Sequence, residues 1–308
     1  MSDPRVVVIV LCWNGVEDTL ECLASLRAVD YPGFRTIVVD NGSSDGTPAI
    51  VRSSFPGVEL IETGENLGFA GGNNVGICRA MDGAADAVLL LNNDTTVAPD
   101  FLSELVEAMY RSDRVAAANP TIYYYDEPDV IWAAGGAVDL RTGVASQRCI
   151  GETDSAERAD EEEVDYCVGT AILMRREAVE TVGLLDPAYF LYYEETDWCF
   201  RARDAGYRCI YVPTARVWHK ISRGFDGNAA AQLYYFCRNR LLFLRRRGAG
   251  WGRLMRATGD LARMSAAMAL RGDRVRSRAV LNGLADFHRG RFGALASRPK
   301  VPDLRSET

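Results

Sequence analysis

Long apolar runs are missing from this 308-residue chain. No stretch approaches the roughly 20 residues that a membrane-spanning helix needs. Nor does the opening Met1-Ser2-Asp3-Pro4-Arg5 carry a signal pattern, so a cytoplasmic location is expected. The eight cysteines, at 12, 22, 78, 149, 167, 199, 209 and 237, form no C-x-x-C pair. That argues against a zinc ribbon or a thiol redox motif and for free thiols in a reducing compartment. Histidine is down to two residues. No G-x-G-x-x-G follows the first apolar run, where the chain reads Cys12-Trp13-Asn14-Gly15, which weakens a NAD-binding reading, and a P-loop is absent as well. Cys12–Asp18 lacks Arg and Lys, whereas a nucleotidyltransferase needs basic residues there to cradle a triphosphate. There is no internal repeat and no long low-complexity tract.

With 48% hydrophobic residues and 25% charged ones, the chain can bury a full core as one large domain or two smaller ones. Its net charge of −7 is unevenly spread, because residues 228–308 hold 17 Arg plus Lys against 5 Asp plus Glu. The expected division is a catalytic domain over 1–227 and a basic helical extension over 228–308. A basic tail on an acidic body suits an anionic lipid surface or a nucleic acid, or else pairs with the body itself. Leu233, Cys237, Leu241 and Leu244 share one face of a helix, with Arg238, Arg245 and Arg246 elsewhere around the wheel. Such a helix either packs on the protein or lies on a membrane surface.

From residue 5 to about 118, strand-like and helix-like segments alternate, which predicts βαβ units and a mostly parallel sheet flanked by helices. Strands are expected at Arg5–Cys12, Thr36–Asp40, Val58–Ile61, Ala87–Leu91 and Val115–Ala118. Helices are expected near Val16–Val29, Thr47–Ser53, Ala70–Met81 and Asp100–Arg111. Residues 119–163 read as irregular, with a β-like piece at Val130–Ala134 and a solvated acidic cluster at Asp160–Glu163. Order returns at Val164–Met174, then a helix near Glu194–Ala205, a strand Arg208–Val212, and three helices near Ala229–Arg247, Trp251–Leu270 and Asp273–Arg289.

Four polar stretches are placed to do chemistry. Asn92-Asn93-Asp94 follows the apolar run Ala87–Leu91, putting a carboxylate at the carboxyl end of an interior strand, where open α/β sheets bind ligands. An oxygen ligand there suits Mg²⁺ or Mn²⁺ on a nucleotide diphosphate; on local chemistry alone it equally suits a turn or cap. Val38–Thr47 runs from a strand through Asp40 into a loop with Gly42 and Gly46, able to turn backbone amides towards an anion. Glu65–Asn74 combines side-chain amides with Gly68, Gly71 and Gly72 ahead of a helix, where glycines permit close approach of a bulky anionic ligand or simply make the turn. Tyr192–Arg201 sets Glu194, Glu195 and Asp197 at a helix start. There the helix end favours ionised carboxylates able to act as bases, while Asp197 is also spaced to pair with Arg201. His219 is a candidate metal or phosphate contact, or a structural histidine.

Taken in order over residues 5–245, these segments resemble the family 2 inverting glycosyltransferases of the GT-A fold, especially a rhamnosyltransferase-like branch. The resemblance lies in Val6–Asn14, the V-V-D-N-G-S-x-D-G-T of Val38–Thr47, the E-N-x-G-F-A-x-G-x-N of Glu65–Asn74 and the L-L-N-x-D of Leu90–Asp94. It continues through Gly169–Arg176, the Tyr192–Arg201 segment and the Trp218-His219 pair. It implies a donor site drawn from Trp13, Asn14, Asp40, Asn66, Gly68, Asn73, Asn92 and Asn93, with Asp40 on the nucleotide base. It further implies Asp94 and His219 as ligands of a divalent cation, Mg²⁺ or Mn²⁺, and Glu195 as general base, with Glu194 and Asp197 beside it. Many members have Asp at the position of Asn92, so the metal here meets one fewer charge. The implied reaction moves a sugar, rhamnose above others, from a dTDP- or UDP-linked donor to a glycan, lipid-linked or small-molecule acceptor, with peripheral membrane contact through the tail and no nucleic acid. The competing readings are a non-catalytic nucleotide-sugar-binding protein and a nucleotidyltransferase.

Overall fold

The computed structural model describes residues 3–83, 85–154, 160–220 and 229–295. Strand and helix alternate through the first half as β1 (Val6–Cys12), α1 (Val16–Leu26), β2 (Phe34–Asp40), α2 (Thr47–Ser54), β3 (Glu59–Glu62), α3 (Gly68–Asp82), β4 (Ala87–Asn92), β5 (Thr95–Val97) and α4 (Phe101–Tyr110). Then come β6 (Val115–Tyr124), β7 (Ile131–Ala133), β8 (Gly136–Asp139), β9 (Val144–Gln147), β10 (Glu162–Val164) and β11 (Ala171–Arg175). The chain continues as α5 (Arg176–Val182), α6 (Glu194–Asp204), β12 (Arg208–His219), α7 (Ala229–Arg246), α8 (Trp251–Leu270) and α9 (Arg274–His288).

One sheet runs in the order β10-β12-β6-β11-β4-β1-β2-β3. The pairs β1–β2, β1–β4, β2–β3 and β6–β12 are parallel, and β11 lies antiparallel between β4 and β6. Because strand side chains alternate between faces, β1 feeds two cores. Val7 and Ile9 pack with Ile37, Leu90 and Ile77 on the face covered by α3, α5 and α6. Val6, Val8 and Val10 pack with Leu89, Leu23 and Phe101 on the face covered by α1, α2 and α4. Strands buried on both faces read as unbroken apolar runs, which is why Ala87–Leu91 was legible as an interior strand.

Residues 119–163 depart from expectation: much of this stretch is strand rather than irregular chain. The buried strand β6 carries Asn119, Pro120 and Thr121, residues that read as loop. Their polar atoms are satisfied inside the core, since Asn119 donates to Val168 O and Ala171 O and accepts from Val168 N. The Thr121 hydroxyl donates to Pro213 O and meets the Tyr211 hydroxyl at 2.8 Å. Strand β12 likewise runs past Val212. A bulge, where Val212 faces Pro120 and Arg216 faces Thr121, absorbs Pro213–Ala215 and carries the strand on to His219. The glycine-rich stretch expected at 223–227, with the division placed after 227, lies outside the described residues.

Helix α7 is held on two sides. Cys237, Leu241 and Leu244 join α8 and α9 in a cluster with Leu261, Val280 and Leu284. Leu242 and Phe243 pack on Tyr189, Tyr193 and Phe200 of the body. Arg246 and Arg247 also pair with Asp186 and Asp204 at 2.7 and 2.5 Å, as expected for a tail bound to an acidic body. Arg238, read from the helical wheel as lying off the apolar face, is instead fully buried. Cys167, Cys199 and Cys209 come from three separate segments, yet their sulfurs lie within 4.8 Å of one another in the core as free thiols.

Candidate active site

The carboxyl ends of β1, β2 and β4 lie level, with Cys12 opposite Asp40 and Leu11 opposite Asn92. The loops that leave β1 and β2 clasp each other. Asn14 N donates to Ser43 Oγ, Ser44 N to Asn14 Oδ1 and Gly15 N to Asp45 Oδ2, at 2.8 to 2.9 Å. Asn14 sits at φ 60° to make this turn. Trp13 stands on the rim, half exposed at 49%. Asp40 lies beneath at 2% exposure, accepting from Ser43 N at 3.1 Å and from the Cys12 thiol. In this structure Asp40 braces the loop on which Trp13 and Asn14 ride.

The next loop is tied in by amides. Asn41 donates to Asn66 Oδ1 and Gly68 O and accepts from Leu67 N, while Asn66 Oδ1 accepts from Gly68 N. Gly68 has φ 74°, and a Cβ there would lie 2.4 Å from Phe190 O. Its bareness therefore serves contact with the 186–193 segment, whose Phe190 O accepts from Phe69 N at 2.7 Å. Asn73 is fully buried inside α3, donating to Phe69 O at 3.0 Å, so it has no surface to offer a donor. Asn93 ties the edge to α1 by donating to Thr19 Oγ1 at 2.9 Å and Asn14 O at 3.4 Å. Asn92 is partly exposed beside it.

Asp94 Oδ1 lies 3.1 Å from His219 Nε2. Strand β5 pairs with the end of β12, so that Thr95 faces His219 and Lys220 N donates to Asp94 O at 2.9 Å. Residues 125 sequence positions apart thus become neighbours. Burial disfavours the Asp94 carboxylate, but the facing imidazole and local amides outweigh it and hold its pKa below the ordinary value. Asp94 Oδ1 nevertheless accepts no well-aligned hydrogen bond, and His219 Nδ1 has none either. An imidazole and an underused carboxylate at this spacing fit a shared divalent cation. Lys220, next in the chain after His219, ties this end of the strand to α1: its Nζ reaches Asp18 at 2.6 Å and Glu21 at 2.5 Å.

Glu195 arrives from another direction. It is the second residue of α6, and its Cγ lies 3.6 Å from where a Cβ on Gly169 would stand. The next residue, Thr170, accepts at its carbonyl from Asn92 N at 2.9 Å. Only the short 169–170 segment therefore separates Glu195 from the end of β4, and the base candidate and the Asp94–His219 pair share one sheet edge. A cavity of about 200 Å³ opens on Glu195, walled by Ser146, Tyr166, Tyr192, Tyr193 and Phe236. A wider, shallower depression of about 550 Å³ near Tyr31 and Tyr110 lies at the other end of the sheet, lined also by Asp3 and Pro4 ahead of β1.

Burial pushes the Glu195 carboxyl up to about 7, against the pull of backbone amides at 195, 196 and 169. Burial also raises Glu194, with Glu195 beside it adding repulsion. One oxygen of each carboxylate has no hydrogen-bond partner. Asp197 differs: its two oxygens take Tyr189 OH at 3.1 Å and Arg201 Nε at 2.8 Å, the ion pair its spacing predicted. The approach to α6 is strained, because Phe190, Tyr192 and Tyr193 all have positive φ, on the order of 1 kcal/mol or more each for such residues. Ser146, Tyr166 and Phe236 of the cavity wall and the α7 residues that face this loop are not legible in the sequence, since no spacing pattern links segments so far apart.

Residues 7–183, more than half of the chain, match the description Glycosyl transferase family 2. An N-acetylglucosaminyl-diphospho-decaprenol L-rhamnosyltransferase of Mycobacterium tuberculosis is 30% identical over 248 residues, covering 75% of this chain and 81% of that protein. The rhamnosyltransferase WbbL of Escherichia coli is 24% identical over 257 residues, 77% of this chain and 94% of that one. A mannosyltransferase of Pyrobaculum calidifontis, solved with GDP-Man and Mn²⁺, superposes with a TM-score of 0.60 at 17% identity, over 93% of this chain and 88% of that one. That likeness agrees with the expected GT-A type of α/β fold. By these matches the chain belongs to glycosyl transferase family 2, enzymes that move a sugar from a nucleotide donor to a glycan or glycolipid acceptor.

Proposed function

We propose that this enzyme is an inverting rhamnosyltransferase that takes rhamnose from a dTDP-linked donor and delivers it to a lipid-linked glycan. The observation that carries the mechanism is Glu195, its carboxylate poised near neutrality and open to a cavity at the same sheet edge as Asp94 and His219. The nucleotide lies across the rim of Trp13 and Asn14, with Asn66 and Asn92 at its flank. Asp94 and His219 would hold a divalent cation, Mn²⁺ or Mg²⁺, which would neutralise charge developing on the diphosphate leaving group. The acceptor hydroxyl enters from the aromatic cavity, and Glu195 removes its proton as the oxygen attacks the anomeric carbon. One displacement from the face opposite the leaving group inverts that carbon, and no covalent enzyme intermediate is needed.

The choice of sugar is supported by the two rhamnosyltransferase relatives and the lipid carrier by the mycobacterial one. A thermal-shift panel of UDP-, dTDP- and GDP-sugars, with and without Mn²⁺, is expected to show selective stabilisation by dTDP-rhamnose that deepens with the cation. At a ligand concentration of 100 Kd, binding adds about 2.7 kcal/mol. Stabilisation by UDP- or GDP-sugars alone would discard the dTDP assignment.

The extension offers a way to reach a lipid-linked acceptor. Among the described residues no helix is long and apolar enough to cross a membrane. Helix α8 does expose Trp251, at 73%, and Met255 one turn later, with Arg253 and Arg256 exposed alongside. Apolar anchors beside arginines, on a tail with 12 more basic than acidic residues, suit an anionic bilayer surface. Replacing both Trp251 and Met255 by serine is expected to weaken co-sedimentation with phosphatidylglycerol vesicles by about tenfold or more, from the lost apolar burial. Equal binding by variant and parent would remove α8 from the contact.

A further inference from the structure

The segment that leads into Glu195 is only partly held by its own turns, in which Tyr189 N, Phe190 N and Leu191 N donate to the carbonyls of Asp186, Pro187 and Tyr189. Phe190, Tyr192 and Tyr193 adopt left-handed backbone angles with φ of 65°, 68° and 76°, a region that bulky side chains avoid. Phe69 N meets the carbonyl of Phe190 and Gly293 N that of Ala188, and side chains of α7 take up carbonyls of Ala188, Tyr189, Leu191 and Tyr192. The Asn239 side-chain nitrogen lies 2.9, 2.8 and 2.8 Å from the carbonyl oxygens of Tyr189, Leu191 and Tyr192. Two amide hydrogens serve three carbonyls, so at least one hydrogen is shared. The orientation of that amide is fixed by its other end, because Asn239 Oδ1 accepts from Arg238 Nε at 3.0 Å.

Arg238 uses the rest of its guanidinium in the same way. One terminal nitrogen donates to Ala188 O and Tyr189 O at 3.2 and 2.8 Å, and the other to Gly293 O at 2.6 Å and Tyr234 OH at 3.4 Å. With Nε on Asn239, all five of its N–H groups find acceptors. The charge has an indirect counterion, since Tyr234 OH donates onward to buried Asp286 at 2.9 Å. Both side chains are fully buried, where an unpaired guanidinium or amide is strongly disfavoured. Together they supply five contacts to the carbonyls of residues 188, 189, 191 and 192, immediately ahead of the helix start that bears Glu194 and Glu195.

We propose that Arg238 and Asn239 are positioning residues for sugar transfer: from the C-terminal helix α7 they hold residues 188–193 in the left-handed course that aims Glu195 into the acceptor cavity. The inference rests on Glu195 being the base. It makes α7 a working part of the active site, although the sequence groups it with the basic extension. The same helix contributes Phe236 to the cavity wall, stacked on Tyr192 at 4.1 Å between ring centroids, so one turn of α7 both fixes the loop and lines the space in front of it.

The test uses the full chain carrying Asn239→Asp. This change keeps the size and the acceptor for Arg238 but turns the donor into an oxygen facing three carbonyls. Transfer is measured from the nucleotide sugar that stabilises the parent to a synthetic N-acetylglucosaminyl diphospholipid, and the nucleoside diphosphate Kd is measured by calorimetry. The expected result is a kcat lower on the order of a hundredfold, as for a small misplacement of a reacting group, with the Kd unchanged to within about threefold. Arg238→Lys, which keeps the charge and loses the fork, should show the same split, and Glu195→Gln is assayed alongside. An unchanged kcat in Asn239→Asp and Arg238→Lys while Glu195→Gln is inactive overturns the positioning role alone. Full activity of Glu195→Gln overturns the base assignment instead. A parallel loss of kcat, nucleotide affinity and folded protein in both α7 variants shows a general scaffold and also overturns the proposal.

Discussion

Glu195→Gln is expected to lower sugar transfer by about 10²–10⁴-fold, the range for loss of a general base, while nucleotide binding stays near that of the parent. The substitution preserves the shape of the side chain and leaves the Asp94–His219 pair and the β1–β2 rim untouched, so ground-state binding of the donor has no reason to change. The pH profile of the parent should carry the same signature. Burial raises the Glu195 pKa to about 7, and a base works only when ionised. Activity should therefore fall as pH drops through about 7, and in Glu195→Gln that acid limb should vanish with the bulk of the rate. Glu194 and Glu195 are adjacent carboxylates, so the limb reports the pair rather than either residue alone. Near-normal turnover of the glutamine variant would move the base to Glu194, because both oxygens of Asp197 already have partners in Arg201 and Tyr189.

The parts of the site that the sequence discloses are those written in consecutive residues. Val38–Thr47 and Leu90–Asp94 each join a buried strand to a polar turn, and a strand buried on both faces leaves an unbroken apolar run that stops where the ligand edge begins. The Asp197–Arg201 pair follows from helical spacing in the same manner. What stayed hidden depends on partners brought in by tertiary structure. Asn119 and Thr121 look like loop residues until the carbonyls that receive them, Val168, Ala171 and Pro213, are in place. The contact that requires a bare Gly68 shows only once Phe190 O arrives from more than 100 residues away. Arg238 and Asn239 look like the polar face of a helix, and only the carbonyl-rich left-handed segment at 188–193 explains why they are buried.

The cation site gives the other large effect. Asp94→Ala is expected to lower transfer by about a hundredfold or more, the scale for removing one preorganised stabiliser of developing charge, and to abolish the extra thermal stabilisation that Mn²⁺ lends to the nucleotide-bound protein. Among the described residues the proposed cation has two protein ligands facing each other, Asp94 and His219, and Asn92 supplies a neutral amide where many family members supply a carboxylate. Losing Asp94 would therefore remove the anionic member of that pair and leave the imidazole of His219 as the remaining proposed ligand among the described residues. Its backbone role survives in alanine, because Lys220 N bonds to the carbonyl of residue 94 rather than to the side chain; circular dichroism and melting without ligand should stay close to the parent. Asn92→Asp is the opposing experiment: an added charge at the neighbouring position should tighten Mn²⁺ binding and, placed in the Asp94→Ala background, restore part of the lost cation response. Full transfer by Asp94→Ala with an unaltered Mn²⁺ response would show that the diphosphate is neutralised by other groups and that the Asp94–His219 contact only joins β5 to β12.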